Sequence, residues 1–182
     1  CTPMPTPPAG LTHKHPDIVV VSDSGQRIQH GGRAQASWAS DTYREDVEKM
    51  VTELAVRYGD HPAVMGWQID NGPSHYSFSY EYSDNNTGKF REWLEGKYGT
   101  VEKLNDAWGT SFWSKTYNNF GQVEIQNQNR LPGKANTHAL LDFKRFTADM
   151  AVGFINLQCE VWRRHISPAQ WVTSNTLPGP PQ

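Results

Sequence analysis

Apolar positions recur at helical spacing in three long stretches of the chain. Between Asp41 and Tyr58, residues Tyr43, Val47, Met50, Val51, Leu54 and Tyr58 fall on one face; Thr42 and Glu45 suit a capping box and Gly59 a stop. A second helix is expected from about Asp84 to Tyr98, with Phe90, Trp93 and Leu94 inward and Gly99 ending it, followed by a short one carrying Leu104 and Trp108. The longest runs from about Ala139 to Arg164, marked by Leu140, Phe143, Phe146, Met150, Phe154, Leu157 and Val161.

Strand chemistry is sparser. Residues Ala63 to Ile69 are apolar on both faces, as in a strand buried inside a barrel, and Trp171 to Ser174 have strand character. The β-branched run Ile18 to Val21 suits a short strand or an extended loop. Thr2 to Pro8 is nearly all Thr and Pro and, with Ala9-Gly10-Leu11, reads as stiff loop without helix. Gly109 to Asn136 is long, irregular and rich in Asn, Gln and Gly, the kind of loop that shapes or covers a site. Pro178 to Pro181 ends all order.

The resulting order, helix, strand, helices, long helix, strand, follows the grammar of a parallel α/β architecture. At 182 residues the chain is shorter than a (β/α)8 barrel, about 250 residues, and offers two strands where closure needs eight. It reads as one domain, either a small open sheet or a partial barrel with strands absent on both sides.

Hydrophobic residues make up 36% of the chain and the net charge is only −2, with no basic stripe, so nucleic acid is not an expected partner. No apolar run reaches the 18 to 20 residues, roughly, that cross a bilayer, and Cys1 to Gly10 lack the charged-then-apolar pattern of a signal peptide. No membrane partner and no address label are therefore expected. Opening on Cys1, the chain is read as not starting at its natural start. Cys1 and Cys159 lie far apart, and Cys159, inside the long helical pattern, is expected to be a packed thiol.

Chemistry in a barrel gathers where strands end, which here means just after Ile69. Asp70, Asn71, Gly72, Pro73, Ser74 and His75 follow it. Such a polar cluster suits a site and equally a plain turn.

The stretch Gly59-Asp60-His61-Pro62-Ala63-Val64-Met65-Gly66-Trp67-Gln68-Ile69-Asp70-Asn71 closely resembles the segment of glycoside hydrolase family 42, the β-galactosidase type, that leads into an Asn-Glu pair at the end of barrel strand four. Further matches run in the same order along the chain: Thr2 to Ala9; Arg33 before Tyr43-Arg44-Glu45; Phe90 to Leu94 with Lys97 to Thr100; Leu104-Asn105 with Ala107 to Gly109; Phe112 to Ser114; and Leu141 to Phe143 with Arg145-Phe146. The resemblance implies a TIM barrel segment from about the end of strand three to strand five, incomplete at both ends, and retaining hydrolysis of terminal β-galactosides.

That chemistry uses two carboxyl groups about 5 to 5.5 Å apart, one protonated to donate to the leaving oxygen and one ionised to attack. By the resemblance, the acid/base glutamate should follow Asn71, and Gly72 stands there. The nucleophile would follow a later strand, beyond Asn175. Asn71 would donate to the sugar 2-hydroxyl, and Arg33 would contact the sugar or orient the acid. Asp70 and Glu81 are the neighbouring carboxylates, but strand alternation points Asp70 away from Asn71, and Glu81 lies in a loop.

Some family members hold zinc in a cysteine cluster just after the Asn-Glu pair. The corresponding Tyr76 to Ser83 has no thiol, and the His13 and His15 pair is expected to be solvated, so neither metal nor cofactor is called for. Trp93, Trp108 and Trp162 read as core, whereas Trp38, Trp67 and Trp113 are candidates to border a sugar pocket. Open sheet edges favour self-association or a complementing chain. By family the enzyme would be bacterial, cytoplasmic or periplasmic. Three readings stay open: a hydrolase weakened in acid catalysis, a galactoside-binding pseudoenzyme, and an inert fragment.

Overall fold

The computed structural model describes residues 6–32, 35–70, 80–127, 130–131 and 134–175. Five α-helices and two strands are present among them: α1 (Ala9–Lys14), α2 (Asp41–Tyr58), β1 (Gly66–Gln68), α3 (Asp84–Tyr98), α4 (Val101–Trp108), α5 (Thr137–His165) and β2 (Trp171–Thr173). β1 and β2 pair in parallel, Trp67 opposite Val172, and the bond from Ile69 N to Thr173 O (2.7 Å) carries the ladder one residue further. A parallel pair requires a crossover, which α3, α4 and α5 supply.

α2 buries a stripe of Tyr43, Val47, Val51 and Ala55, spaced by four, against α5. Its cap is not the expected Thr42 but Ser40, whose hydroxyl accepts from Tyr43 N at 3.3 Å, and Tyr58 points outward while Ala55 takes the inner place. α2 ends at Gly59 for reasons of space rather than turn geometry. Its φ is −60°, and a Cβ there would lie 2.4 Å from Ala55 O and 2.5 Å from His165 O. α3 and α4 are capped by Ser83 and Thr100, and both stop at glycines with positive φ, Gly99 and Gly109.

Only three residues of the expected 63–69 strand are strand, and they are not apolar on both faces. Trp67 and Ile69 are buried beneath α2 and α5, Gly66 and Gln68 turn the other way, and Met65 is exposed. One further correction lies near the start. Residues 9–14 form a helix entered from Pro8, where loop was expected. Ile18 belongs to a 3-10 turn, and its neighbours make only isolated antiparallel bridges, Val19 to Ala36 and Val21 to Arg27.

The core divides in two, and α5 joins the halves. Its second half contributes Phe154, Val161 and Trp162 to a cluster with Trp38, Tyr43, Val47, Trp67 and Ile69. Its first half contributes Ala139, Phe143 and Phe146 to a cluster with Phe90, Leu94, Leu104, Trp108 and Val123. Asp142, two per cent exposed, lies at this second cluster and is held by Lys97, Tyr98 (2.5 Å), Trp108 (3.0 Å) and Arg145 (3.1 Å). The described residues of the 109–136 connection are irregular apart from two 3-10 turns, at Phe112–Ser114 and Phe120–Gln122.

Candidate functional site

Because the strands are parallel, their carboxyl ends lie side by side, and the residues there are Ile69 and Asp70 after β1 and Ser174 and Asn175 after β2. Trp67 and Ile69 face the helices, which leaves Gln68 on the opposite face of the sheet. Its side-chain amide donates to Asp70 O at 3.2 Å and to Asn175 Oδ1 at 3.0 Å. One amide group thereby ties together the ends of both strands. Asp70 adopts φ +52°, a left-handed conformation rare outside glycine, and turns the chain out of the strand just ahead of Asn71. The strand alternation used to orient Asp70 stops at this turn. Burial, with the Asp70 charge adding to it, pushes the Tyr43 phenol well above its ordinary pKa.

Glu81 is buried and hydrogen-bonded within the fold. It is four per cent exposed, its Oε1 accepts from Ser83 N at 2.8 Å, and its Oε2 accepts from Ser37 Oγ at 3.2 Å. Asn86 Nδ2 donates to Glu81 O at 2.6 Å. Burial pushes the Glu81 carboxyl pKa up, while hydrogen bonds from Ser83, Ser37 and the Val21 backbone pull it down without cancelling the rise. Both oxygens are committed within the fold.

Arg33, Asn71 and Gly72 lie outside the described residues, as do Cys1 and residues 76–79 of the stretch compared with the zinc-binding one. Of the tryptophans offered for a sugar pocket, Trp67 is buried and stacked on Trp162, and Trp38 is packed against Phe154 in the core. Trp113 is exposed at φ +58°, stacked on Phe112 at 4.8 Å, with Lys115 and Lys134 over its ring. Cys159 is a partly buried free thiol. Among the described residues no group of three His, Cys, Asp or Glu could hold a metal ion, and no helix is long and apolar enough to cross a membrane.

Gln68 and Asn175 were not singled out from sequence. The signal for Gln68 was available: a polar residue in an apolar strand, two positions before Asp70, belongs to the face opposite Trp67 and Ile69. Asn175 carried no comparable pattern.

Parallel strands with helices on one side and polar groups converging at the strand ends define a segment of a parallel α/β fold. All 182 residues match the family 42 glycoside hydrolase model, described as β-galactosidase. A β-galactosidase of Thermus thermophilus is 41% identical over 176 residues, covering 97% of this chain and 27% of that protein. The crystal structure of a β-galactosidase from the psychrophilic Marinomonas ef1 superposes with a TM-score of 0.90 at 39% identity, over 96% of this chain and 26% of that one. A polyextremophilic β-galactosidase from the haloarchaeon Halorubrum lacusprofundi gives 0.87 at 35% identity, over 97% and 26%. The chain belongs to glycoside hydrolase family 42, and its fold is part of a TIM barrel. It spans about a quarter of the length of the relatives it matches.

Proposed function

We propose that this chain is the strand-three to strand-five portion of a retaining β-galactosidase whose acid catalysis is impaired by Gly72. The reading rests on one observation: Gly72 directly follows Asn71, where by the resemblance to the family the acid/base glutamate would stand. Glycine has no proton to deliver to a departing sugar oxygen. Loss of a positioned general acid typically lowers the rate about 10² to 10⁴-fold, and mostly for poor leaving groups, since an activated aryl group departs without protonation. The committed oxygens of Glu81 support the absence of a nearby replacement.

In this reading, Asn71 donates to the sugar 2-hydroxyl, Arg33 contacts the sugar or orients the acid, and the nucleophile follows a later strand. Gly72→Glu in the full-length barrel is expected to raise lactose hydrolysis by at least about a hundredfold and to raise hydrolysis of an activated aryl galactoside much less. Equal rates before and after the substitution, on both substrates, would remove position 72 from the chemistry. Gly72 itself also favours a second reading, a galactoside-binding pseudoenzyme. Calorimetry separates the two: that reading requires measurable galactose uptake with Gly72 in place and weaker uptake in Asn71→Ala.

A further inference from the structure

A polar atom that folding takes away from bulk water needs a new partner, and a buried donor or acceptor without one carries its full desolvation cost. Three buried side-chain atoms make no hydrogen bond to the protein among the described residues: Gln158 Oε1, the indole Nε1 of Trp162 and Ser174 Oγ. Gln158 and Trp162 are fully buried, and they stand four apart on α5, so both belong to one face of the helix.

The third atom belongs to the strand beneath that face. Trp162 stacks on Trp67, whose partner across the ladder is Val172, which sets Trp162 at the level of Val172. α5 returns to the start of β2 through residues 166–170 and therefore runs antiparallel to it. One helical turn back from Trp162, about 6 Å, reaches Gln158, and two strand residues on from Val172, about 6.5 Å, reach Ser174, so these two share a level as well. Strand alternation turns Ser174 to the same face as Val172, which packs against the cluster of α5, Trp67 and Ile69. An acceptor, a donor and a hydroxyl that serves as either thus occupy one stretch of the α5–β2 interface. Stacking at 3.9 Å holds the indole, and the Gln158 amide is engaged with Phe154 O at 3.4 Å, so neither is free to turn to a partner elsewhere.

We propose that Gln158, Trp162 and Ser174 form an internal water site between α5 and β2. One water accepts from the Trp162 indole N–H, donates to Gln158 Oε1 and completes its set with the Ser174 hydroxyl, three bonds being the usual number for a buried water. The chemistry of the set selects water over an ion: none of the three groups is charged, and only a small molecule that both donates and accepts meets all of them. The site has a structural consequence at the strand ends. Ser174 precedes Asn175, which accepts the Gln68 amide at 3.0 Å on the other face of the sheet, so the water and Gln68 together hold the end of β2 from both faces.

A crystal structure of the full-length barrel, at a resolution that shows ordered water, is the direct test. It is expected to show one water about 2.7 to 3.2 Å from each of Gln158 Oε1, Trp162 Nε1 and Ser174 Oγ. No water peak at the three atoms, a direct bond between Trp162 Nε1 and Gln158 Oε1, or a side chain from elsewhere in the barrel bonded to them would each overturn the proposal. A cycle of Gln158→Leu, Ser174→Ala and the double variant tests the shared water in solution. Since either change alone breaks the bridge, the melting-temperature loss in the double variant is expected to be no more than about two-thirds of the summed single losses. Fully additive losses would overturn the bridge. If Gln158→Leu does not fold, Trp162→Phe takes its place in the cycle with the same expected outcome.

Discussion

The indole of Trp67 in β1 lies against that of Trp162 in α5, ring centroids 3.9 Å apart and planes 25° from parallel. This contact fixes the sheet to the helical layer, because Trp67 is the central residue of a three-residue strand and Trp162 is fully buried. Truncating Trp162→Ala is expected to destabilise the chain by about 3 to 5 kcal/mol, the range for deleting a large aromatic from a packed core. Trp162→Phe is expected to cost less than about 2 kcal/mol. The indole N–H of Trp162 is buried without a hydrogen-bond partner among the described residues, so losing it offsets part of the lost contact. Urea unfolding of the two variants checks the order; equal losses would show that stacking is not what the site uses.

Asp142 plays the corresponding part in the second cluster. Burial alone would push its pKa up, but hydrogen bonds from Lys97, Tyr98 and Trp108 outweigh that and hold it below its ordinary value. The same contact, after burial, helps push the Tyr98 phenol up to about 12. Since the folded state favours the ionised form, the stabilisation from Asp142 is fully present above the ordinary carboxyl value of 3.8 and is lost as pH falls through the lower folded value. Asp142→Ala is expected to cost about 3 to 5 kcal/mol at neutral pH, as for a buried ion pair stripped of one partner. It is also expected to lessen the loss of stability that the wild type should show below about pH 4. A variant that unfolds in acid along the wild-type profile would place that sensitivity elsewhere.

The helices were legible because helical period and stop residues agree over many positions. α2 and α3 run over the expected Asp41–Tyr58 and Asp84–Tyr98, and α5 extends the expected span by two residues at its start and one at its end. Caps were less legible, since Ser40 and Thr42 are chemically alike and only the backbone path decides which meets the free amides of the first turn. α1 was missed because six residues give too little periodicity, and a preceding proline reads as loop although it is compatible with a helix entrance. Trp38 looked like a loop residue and is one, yet its loop folds under α5, where Phe154 stacks on it at 6.1 Å. Sequence order alone does not show which loops are tucked inward. The Ser37–Glu81 bond spans 44 residues and has no local signature for the same reason.

Glu81 should give the opposite pH dependence to Asp142. Its folded pKa is raised, chiefly by burial, so its stabilising contribution is complete below the ordinary value of 4.5 and declines as pH rises through the higher folded value. Glu81→Gln keeps the shape and hydrogen-bonding capacity but cannot ionise. A series of urea midpoints from acid to neutral pH is expected to show the wild type losing ground to Glu81→Gln as pH rises. Parallel curves for the two proteins would mean that the carboxyl group titrates alike in the folded and unfolded chains.

Gln68 links the two strand ends by donating to both Asp70 O and Asn175 Oδ1, and removing its amide should disturb the ends more than the strands. In Gln68→Leu the pairing of Gly66, Trp67 and residue 68 with β2 uses only backbone groups and is expected to survive. Two acceptors then lose a donor at a partly exposed place, where water replaces it in part, so the expected loss is about 0.5 to 1.5 kcal/mol. The effect on ligand should be disproportionate, because Asp70 is held at φ +52° and the residue after it is Asn71, the proposed partner of the sugar 2-hydroxyl. Galactose affinity in Gln68→Leu is expected to fall about tenfold, whereas Gln68→Glu, which keeps the length but replaces the donor by an acceptor facing two oxygens, should be at least as weak. Calorimetry beside unfolding measurements separates the two effects. A variant that loses stability in this range yet takes up galactose like the wild type would confine Gln68 to holding the sheet together.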